Sequence, residues 1–194
     1  MKPEIFAVEI KESIADKTFN YLFQFVEKDK QEHIKRLKFK NDKDLTMVGD
    51  ILAKAAIQKV FGIAVADMKF EVGEFGKPFL VSHKDVYFNI SHSGNIVVCA
   101  VHDKPVGIDI QKMNDVNFES IAKRVFTKNE QDVFFSTPQE TQKEQFYKTW
   151  TAKESYIKFL GTGVRDLEKE IDENCNIDSS REFDDYMLCI CYKT

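Results

Sequence analysis

Long apolar runs are absent from this chain of 194 residues. No stretch approaches the ~20 consecutive apolar residues that a membrane-spanning helix requires, and no basic segment near the start precedes the apolar region of a secretory signal. We therefore expect a cytoplasmic protein without a membrane partner. The sequence also has no linker rich in proline and serine and no long internal repeat, so nothing in it marks separate flexible modules.

Cysteine and histidine are scarce, with four residues of each type. Cys189 and Cys191 lie two positions apart on a predicted strand, and neither they nor Cys99 and Cys175 show a zinc-binding spacing with the histidines. We therefore expect buried, reduced thiols. The signatures of a nucleophile elbow, a P-loop, a dinucleotide fold and a protein kinase are missing as well, so any chemistry has to come from another arrangement.

The charge balance is slightly acidic, with a formal net charge of -4 and a sequence pI near 5.7. This balance argues against broad, non-specific nucleic-acid binding. A local exception is a basic run between residues 28 and 43, which either a solvated helix face or an anion-binding surface would explain. Its basic residues are Lys28, Lys30, Lys35, Arg36, Lys38, Lys40 and Lys43.

The remaining composition is that of a soluble globular protein, with 43% hydrophobic residues, 31% charged residues and 17 phenylalanines. The length suffices for one domain or for two compact halves of about 100 residues each. The order of patterns is strand, helix, strands, and then helices and strands again. We predict an α+β fold whose two packed halves are residues 1–102 and 103–194.

Local signals mark the ends of several predicted elements. Alternating residues from Glu4 to Ile10 predict an opening strand. The helix starts combine capping residues with the apolar periodicity that follows them. Helix starts are predicted at Asp44, Asn117, Thr127 and Pro138, and a helix end is predicted at Gly62.

Apolar residues alternating between positions 86 and 110, with turn signals between them, predict a three-stranded antiparallel meander. Ser91, His92 and Ser93 are assigned to its first turn. If the second and third strands pair around the next turn, Asp109 and Gln111 lie at the edge that holds Ser91 to Ser93. Because an unpaired buried carboxylate costs several kcal/mol, Asp109 needs a partner such as a bound cation.

The last long helical pattern carries the most unusual charges. Trp150 and Ile157 lie on its apolar stripe, and Lys153 falls inside the same stripe. Glu154 and Lys158 lie on the shoulder of the stripe at the i,i+4 spacing that lets side chains meet. The group is either a surface ion cluster or a phosphate and metal site.

The combined residues favour the second alternative. The oxygen ligands of Asp109 and Glu154, with Gln111 as a neutral neighbour, suit a hard cation such as Mg2+, which completes its coordination with water and substrate phosphates. Lysines would neutralise phosphate oxygens. The chemistry that these residues suggest is phosphoryl-type transfer from a polyphosphate donor.

Four stretches in register resemble the successive motifs of the 4'-phosphopantetheinyl transferases, and specifically of the Sfp-type group. The match extends over roughly residues 28 to 163. Each motif alone is weak, but four in the same order and spacing are specific. The stretches are Gly-Lys-Pro at 76–78, Phe-Asn-Ile-Ser-His-Ser at 88–93, Gly-Ile-Asp-Ile at 107–110 and Trp-Thr-Ala-Lys-Glu-Ser-Tyr-Ile-Lys at 150–158.

This resemblance implies a magnesium-dependent enzyme that moves the phosphopantetheine arm of coenzyme A onto a serine of an apo carrier protein of acyl, peptidyl or polyketide type. The product released is adenosine 3',5'-bisphosphate. The implied fold is a pseudo-twofold pair of similar α+β halves, each an antiparallel sheet packed with helices, with coenzyme A between them. The half at 103–194 would carry the magnesium-binding acids, and two halves in one chain imply a monomer.

The resemblance also implies roles for individual residues. Asp109, Gln111 and Glu154 would hold Mg2+. Glu154 would take the proton of the carrier serine, directly or through water, and Lys158 would stabilise charge on the phosphates, with His92 in the same catalytic group. Residues 114–136 are our guess for carrier docking. The implied coenzyme contacts are Lys35, Arg36, Lys77, Pro78, Asn89, Ser91, His92, Lys153 and Lys158.

Gln111 is a departure from the family pattern, because many members have glutamate at this position. We expect weaker magnesium affinity rather than inactivity, since a neutral amide or a water can still ligate the ion. Two rival functions remain open. One is a non-catalytic module that binds carrier protein or coenzyme A, which Gln111 favours. The other is a magnesium-dependent phosphohydrolase, which would be expected to keep more acidic ligands.

Overall fold

Two three-stranded antiparallel sheets, one short hairpin and six α-helices make up the described part of the chain, residues 2–163 and 167–194 of this computed structural model. The strands are β1 (Glu4–Glu9), β2 (Phe70–Val72), β3 (Pro78–Leu80), β4 (Tyr87–Ser93), β5 (Ile96–His102), β6 (Val106–Lys112), β7 (Asn176–Ser180) and β8 (Tyr186–Tyr192). The helices are α1 (Asp16–Phe23), α2 (Lys28–Arg36), α3 (Lys40–Phe61), α4 (Phe118–Val125), α5 (Lys128–Ser136) and α6 (Gln139–Leu160), and a 3-10 turn covers Val65–Asp67.

The two sheets have the same size and the same relation to a long helix. The first has the strand order β1-β5-β4 and packs against α3, and the second has the order β6-β8-β7 and packs against α6. The predicted α+β class, with paired halves built from antiparallel sheets and helices, is confirmed. The division between residues 102 and 103 stays a prediction, although β5 ends at His102.

Strand β5 lies at the centre of the molecule because both of its faces are apolar. Ile96, Val98 and Ala100 pack against residues of β6 and β8 in the second sheet. The opposite face, which includes Cys99 and Val101, packs against α3. The layers therefore follow the order α3, first sheet, second sheet, α6, and the continuous apolar run at 96–101 reflects a strand covered on both sides.

The predicted meander is wrong in its third strand. In the strand pairings of the described residues, β4 pairs with β5, but β6 pairs with β8 rather than with β5. The turn between β5 and β6 contains Pro105, which has no N–H to donate to a hairpin ladder. Because β5 needs apolar cover on both faces, the chain crosses at this turn from the first sheet to the second.

Ser91, His92 and Ser93 lie within β4 and not in a turn, which corrects a second expectation. Their backbone continues the ladder with β5, and alternate β4 side chains bond to backbone N–H groups of β6, the edge strand of the other sheet. Residue numbers rise together along both strands, so β4 and β6 run parallel, joined by side chains in place of a backbone ladder. The bonds link Asn89 Oδ1 to Ile108 N (2.8 Å), Ser91 Oγ to Ile110 N (3.3 Å) and Ser93 Oγ to Lys112 N (3.0 Å).

Asp44 is not the N-cap of a helix, because α3 begins one turn earlier at Lys40. The Asp44 side chain is fully buried and accepts hydrogen bonds from Ile14 N at 3.0 Å and from Ser13 Oγ at 3.2 Å. Lys40, at the i,i+4 position, forms an ion pair with it. The carboxylate therefore joins the segment after β1 to α3. This is a long-range contact, although the same sequence pattern is typical of a local helix cap.

The other local signals are confirmed. Asn117 and Thr127 accept capping bonds at the starts of α4 and α5, with Glu130 completing the capping box, and Gly62 ends α3 with φ 69°. The cysteines of the described residues are free thiols, and burial raises the pKa of Cys99; the expected burial is wrong for Cys175, which is partly exposed. Of the helices in the described part of the chain, none combines the length and apolar character needed to cross a bilayer.

Helix α6 approaches strand β6 most closely at Gly107. A Cβ atom at this position would lie 2.1 Å from Ser155 O and 2.3 Å from Phe159 N. Both are backbone atoms that cannot rotate away. The glycine therefore sets the spacing between β6, which carries Asp109, and the part of α6 that carries Glu154 and Lys158.

We expect Gly107→Ala to reduce the free energy of unfolding by about 3 kcal/mol, because the added methyl group forces α6 away from β6. Urea unfolding followed through the fluorescence of Trp150, the single tryptophan, measures the change. Gly73→Ala is the matched control, because its Cβ would lie at an ordinary 3.4 Å from Lys77 O. Equal stabilities of the two variants would contradict the close packing described here.

Candidate functional site

The centre of the candidate site is the carboxylate of Asp109, in the middle of β6. The residue is 1% exposed, and its side chain points from the second sheet toward α6. Its Oδ1 atom accepts hydrogen bonds from Lys158 Nζ at 2.6 Å and from Ser91 Oγ at 2.8 Å. The partner that the sequence required for this acid is therefore a lysine from α6 and a serine from β4.

Lys158 joins the three elements of the site. Its Nζ atom donates to Ser91 Oγ at 2.8 Å as well as to Asp109, and its side chain is 27% exposed while that of Asp109 is 2% exposed. The ion pair is thus buried at the acid, whereas the lysine side chain is partly exposed. Such a geometry lets the ammonium neutralise Asp109 and still face an incoming anion.

Gln111 lies two residues beyond Asp109 on the same face of β6. Its Nε2 atom donates a hydrogen bond to Asp109 Oδ2 at 3.1 Å. Both carboxylate oxygens of the buried acid therefore have donors without a metal ion. This contact was not predicted from the sequence, in which Gln111 was interpreted as a metal ligand.

Glu154 is the second acid of the site. Burial raises the pKa of its carboxyl group, the nearby charge of Asp109 raises it further, and Lys158 opposes both. The two acids therefore lie close enough to repel each other. A divalent cation between them would relieve this repulsion.

A hard cation such as Mg2+ fits this donor set of two carboxylates and one amide. Across residues 2–163 and 167–194, three or more His, Cys, Asp or Glu side chains do not converge at any point. A cation at Asp109 and Glu154 would therefore complete its coordination with Gln111, water or phosphate oxygens, as Mg2+ does in phosphate sites.

Three neighbouring pockets, each lined by Pro78 and Ile90, lie between Lys158 and the N-terminal half, and we call them together the Pro78 groove. Its widest part has a volume of about 520 Å³, within the range of about 300–1,000 Å³ typical of small-molecule sites. Apolar walls alternate with charged residues. From one end to the other it is lined by Lys158, Asn89, Ile90, His92, Thr46, Lys30, Lys28 and Phe70.

His92 lies in the middle of the Pro78 groove, on the face of β4 opposite to Ser91. The residue as a whole is exposed, but protein atoms lie around much of its ring. Reduced solvation lowers the pKa of His92, and the positive charges of Lys158 and Lys30 lower it further, against the opposing effects of Asp42 and Asp109. A neutral imidazole between two cations can donate or accept a hydrogen bond toward a ligand.

The basic run contributes to the groove through two lysines, Lys28 and Lys30, that differ from the predicted Lys35 and Arg36. Lys30 lines it, whereas Lys35 and Arg36 are exposed on α2 and Lys35 pairs with Glu32 at 2.6 Å. Ile34 is 1% exposed and lies one helical turn after Lys30, so Lys30 shares the inward face. That periodicity was the signal that could have identified Lys30. Thr46 in α3 was missed because no motif marks it.

Lys77 lines the groove with its stem, but its ammonium is bound elsewhere. Nζ donates to the backbone carbonyls of Lys158 at 2.5 Å, Val106 at 3.0 Å and Phe159 at 3.3 Å. Burial lowers the pKa of Lys77 to about 8. The structure brings this predicted ligand-binding amine to the end of α6 and not into the open groove.

Lys153 is the predicted site residue that the structure separates from the others. Its side chain is 2% exposed, and Nζ lies 2.8 Å from Glu130 Oε2 and 3.0 Å from Lys169 O. Glu130 is also the capping-box residue of α5. The buried cation in the apolar stripe thus has a partly exposed partner on a neighbouring helix.

Comparisons with known proteins match both halves of the chain. The sequence model of the 4'-phosphopantetheinyl transferase superfamily matches residues 105–192, and that of the 4'-phosphopantetheinyl transferase N-terminal region matches residues 13–104. The two matched segments meet at the crossing between the sheets. Every element of the candidate site falls inside one or the other.

Curated relatives support the same assignment. The 4'-phosphopantetheinyl transferase Sfp of Bacillus subtilis (strain 168) is 34% identical over 161 residues, which cover 83% of this chain and 71% of that protein. A second Bacillus subtilis 4'-phosphopantetheinyl transferase is 41% identical over 139 residues, covering 72% and 62%. The gsp enzyme of Aneurinibacillus migulanus, also named a 4'-phosphopantetheinyl transferase, is 36% identical over 161 residues, covering 83% and 67%. The chain belongs to the 4'-phosphopantetheinyl transferase family, and within it to the Sfp-type group.

Proposed function

We propose that this protein transfers the 4'-phosphopantetheine arm of coenzyme A onto a serine of an apo carrier protein. The observation that carries the proposal is the pair of acids Asp109 and Glu154, with the partly exposed Lys158 side chain between the buried acid and an open groove. Membership of the family supports the same reaction. The arrangement offers cation-binding oxygens and a positive charge where a pyrophosphate would react.

The transfer is a displacement at phosphorus. The serine Oγ of the carrier protein forms a new P–O bond to the phosphorus that bears the pantetheine arm. The bond from that phosphorus to the bridging oxygen breaks, and adenosine 3',5'-bisphosphate leaves with the electron pair. Glu154 accepts the serine proton, directly or through water.

Lys158 and Asp109 orient the charges of this reaction. Lys158 would stabilise negative charge on the pyrophosphate, since its ammonium is the exposed end of the buried ion pair. Asp109, Glu154 and Gln111 would hold Mg2+. That ion, when bound, neutralises phosphate oxygens and favours the departure of the nucleotide. Ser91 keeps Asp109 and Lys158 together through its hydroxyl.

The Pro78 groove is the proposed seat of the coenzyme. Lys28 and Lys30 would contact phosphate at its far end, and its apolar part at Pro78 and Ile90 suits the adenosine. Acids line the far end as well, namely Glu27, Asp29, Asp50 and Glu71. His92 would contact the coenzyme from the middle of the groove. Lys35, Arg36 and Lys153 have no part in this proposal, because their side chains point elsewhere or are engaged.

The remaining partners are also proposals. Val133 and Phe135 are exposed on α5 at 52% and 42%, which supports docking of the carrier protein near residues 114–136. We propose a monomer, because one chain supplies both sides of the groove, and a cytoplasmic location. The net charge of -4 supports the absence of a nucleic-acid partner.

We expect Glu154→Gln to lower the transfer rate by about 10²–10⁴-fold, because the carrier serine loses its proton acceptor. The measurement incubates enzyme, coenzyme A, Mg2+ and apo carrier protein and follows the carrier by intact mass. Glu140→Gln, an exposed change on the same helix, should retain full activity. Near-normal transfer by Glu154→Gln would refute the assigned role.

The same assay separates the rival functions in the wild-type protein. A phosphopantetheine adduct on the carrier supports the transferase. Binding of coenzyme A or carrier without an adduct supports the non-catalytic module, which Gln111 favours because its amide already satisfies Asp109. Hydrolysed coenzyme A without an adduct supports the phosphohydrolase.

We expect Gln111→Glu to lower the Mg2+ concentration for half-maximal transfer by about tenfold, because a third carboxylate joins the metal ligands. Without Mg2+ the same variant should lose about 2 kcal/mol of stability, since a donor to Asp109 becomes a like charge. Magnesium titrations of activity and of thermal unfolding measure the two effects. Gln58→Glu, which adds the same charge at an exposed site on α3, is the control. An unchanged magnesium response would remove Gln111 from the ligand set.

A further inference from the structure

Lys77 forms an unusual set of contacts for a lysine in a ligand-binding motif. Its Nζ atom bonds to three backbone carbonyl oxygens, those of Val106, Lys158 and Phe159. These carbonyls belong to the start of β6 and the last turn of α6. The lysine itself comes from the loop between β2 and β3 in the N-terminal half. One amine therefore joins the hairpin to both elements that carry the catalytic acids.

The end of α6 needs such a donor. The last carbonyls of a helix have no partner within the helix, and α6 ends at Leu160 with Gly161 in the left-handed conformation. The N–H of Gly161 bonds to Ile157 O, and Lys77 takes the two following carbonyls, of Lys158 and Phe159. A cation at this place also interacts favourably with the negative end of the helix dipole.

The contact bears directly on the reacting groups. Lys77 binds the backbone of Lys158, whose side chain holds Asp109 at 2.6 Å. Val106, the third acceptor, lies three residues before Asp109 on β6, next to the close approach of α6 at Gly107. The amine thus fixes the longitudinal position of α6 against β6 at the end where Lys158 and Asp109 meet.

We propose that Lys77 is a positioning residue for the transfer reaction, which holds the last turn of α6 against β6 so that Lys158 meets Asp109, and that its amine does not bind the coenzyme phosphates. The inference rests on the proposed transferase function. It reverses the role that the Gly-Lys-Pro resemblance implied. A phosphate ligand would need an ammonium directed into the groove, whereas this amine points between two backbone segments.

We expect Lys77→Met to lower kcat by about 10- to 100-fold, because the reacting groups lose their relative position. The dissociation constant for coenzyme A should stay within about twofold of wild type, because no phosphate contact is lost. In a Lys158→Met background, Lys77→Met should add less than about a twofold loss, because its effect acts through Lys158. The exposed Lys84→Met, near the same hairpin, should leave kcat unchanged.

A rise in the dissociation constant for coenzyme A at unchanged kcat, or independent losses in the Lys158→Met background, would overturn the proposal. If Lys77→Met does not fold, Lys77→Gln serves in the same comparison, because its amide still donates two hydrogen bonds. Circular dichroism and thermal unfolding establish folding before the kinetics are interpreted.

A labelling experiment on the wild-type protein is independent of turnover. Brief acetylation at pH 8, with mass spectrometry of the peptides, should modify Lys77 at a rate that adenosine 3',5'-bisphosphate does not change. Labelling that the nucleotide suppresses at Lys77 but not at Lys84 would show a coenzyme ligand instead. A wild-type protein without transfer activity, in which the nucleotide leaves Lys77 labelling unchanged, would contradict the proposed function and leave the placement of this amine intact.

Discussion

The site depends on one buried charge. Asp109 is 1% exposed in the middle of β6, and the cost of burying its carboxylate is offset only if donors reach it with good geometry. Those donors come from α6, through Lys158, and from β4, through Ser91. Asp109 in β6 thus requires β4 of the first half and α6 of the second half to meet at one point. Removing Lys158 would leave the buried carboxylate without its counter-ion.

The junction of the halves explains why Asp109 lies beside Ser91 although the predicted strand pairing was wrong. The sequence favoured a hairpin between β5 and β6, whereas β6 joins the second sheet and its edge faces β4. Side chains of Asn89 and Ser91 occupy the N–H groups of β6 that a neighbouring strand would otherwise take. Small polar residues at alternate positions therefore create a strand contact that leaves room between the halves for a groove.

The sequence predicted correctly the features that depend on residues close together in the chain, and not those that depend on distant residues. Helix ends at Gly62 and Thr127 depend on neighbours within four residues and were found correctly. The choice of partner for β6 depends on apolar cover supplied by β5 and could not be inferred from a turn signal. Asp44 shows the same limit. This carboxylate near a helix start was interpreted as a cap, whereas the N–H of Ile14 that donates to it lies thirty residues away. Lys30 was hidden in a basic run whose inward face only Ile34 marks.

Three lysines in the motifs show that a motif position alone does not determine what a charged side chain binds. Lys153 is held by Glu130 in a buried position, and Lys77 is held by backbone carbonyls in a partly buried one. Lys158 alone of the three combines a buried acceptor with an amine open to the groove. Phosphate oxygens entering the groove would compete with Asp109 for that amine. Because the amines of Lys77 and Lys153 bind other protein groups, Lys158 is the motif lysine that can contact a substrate. Its position depends on the ion pair with Asp109, and therefore on how α6 is placed against β6.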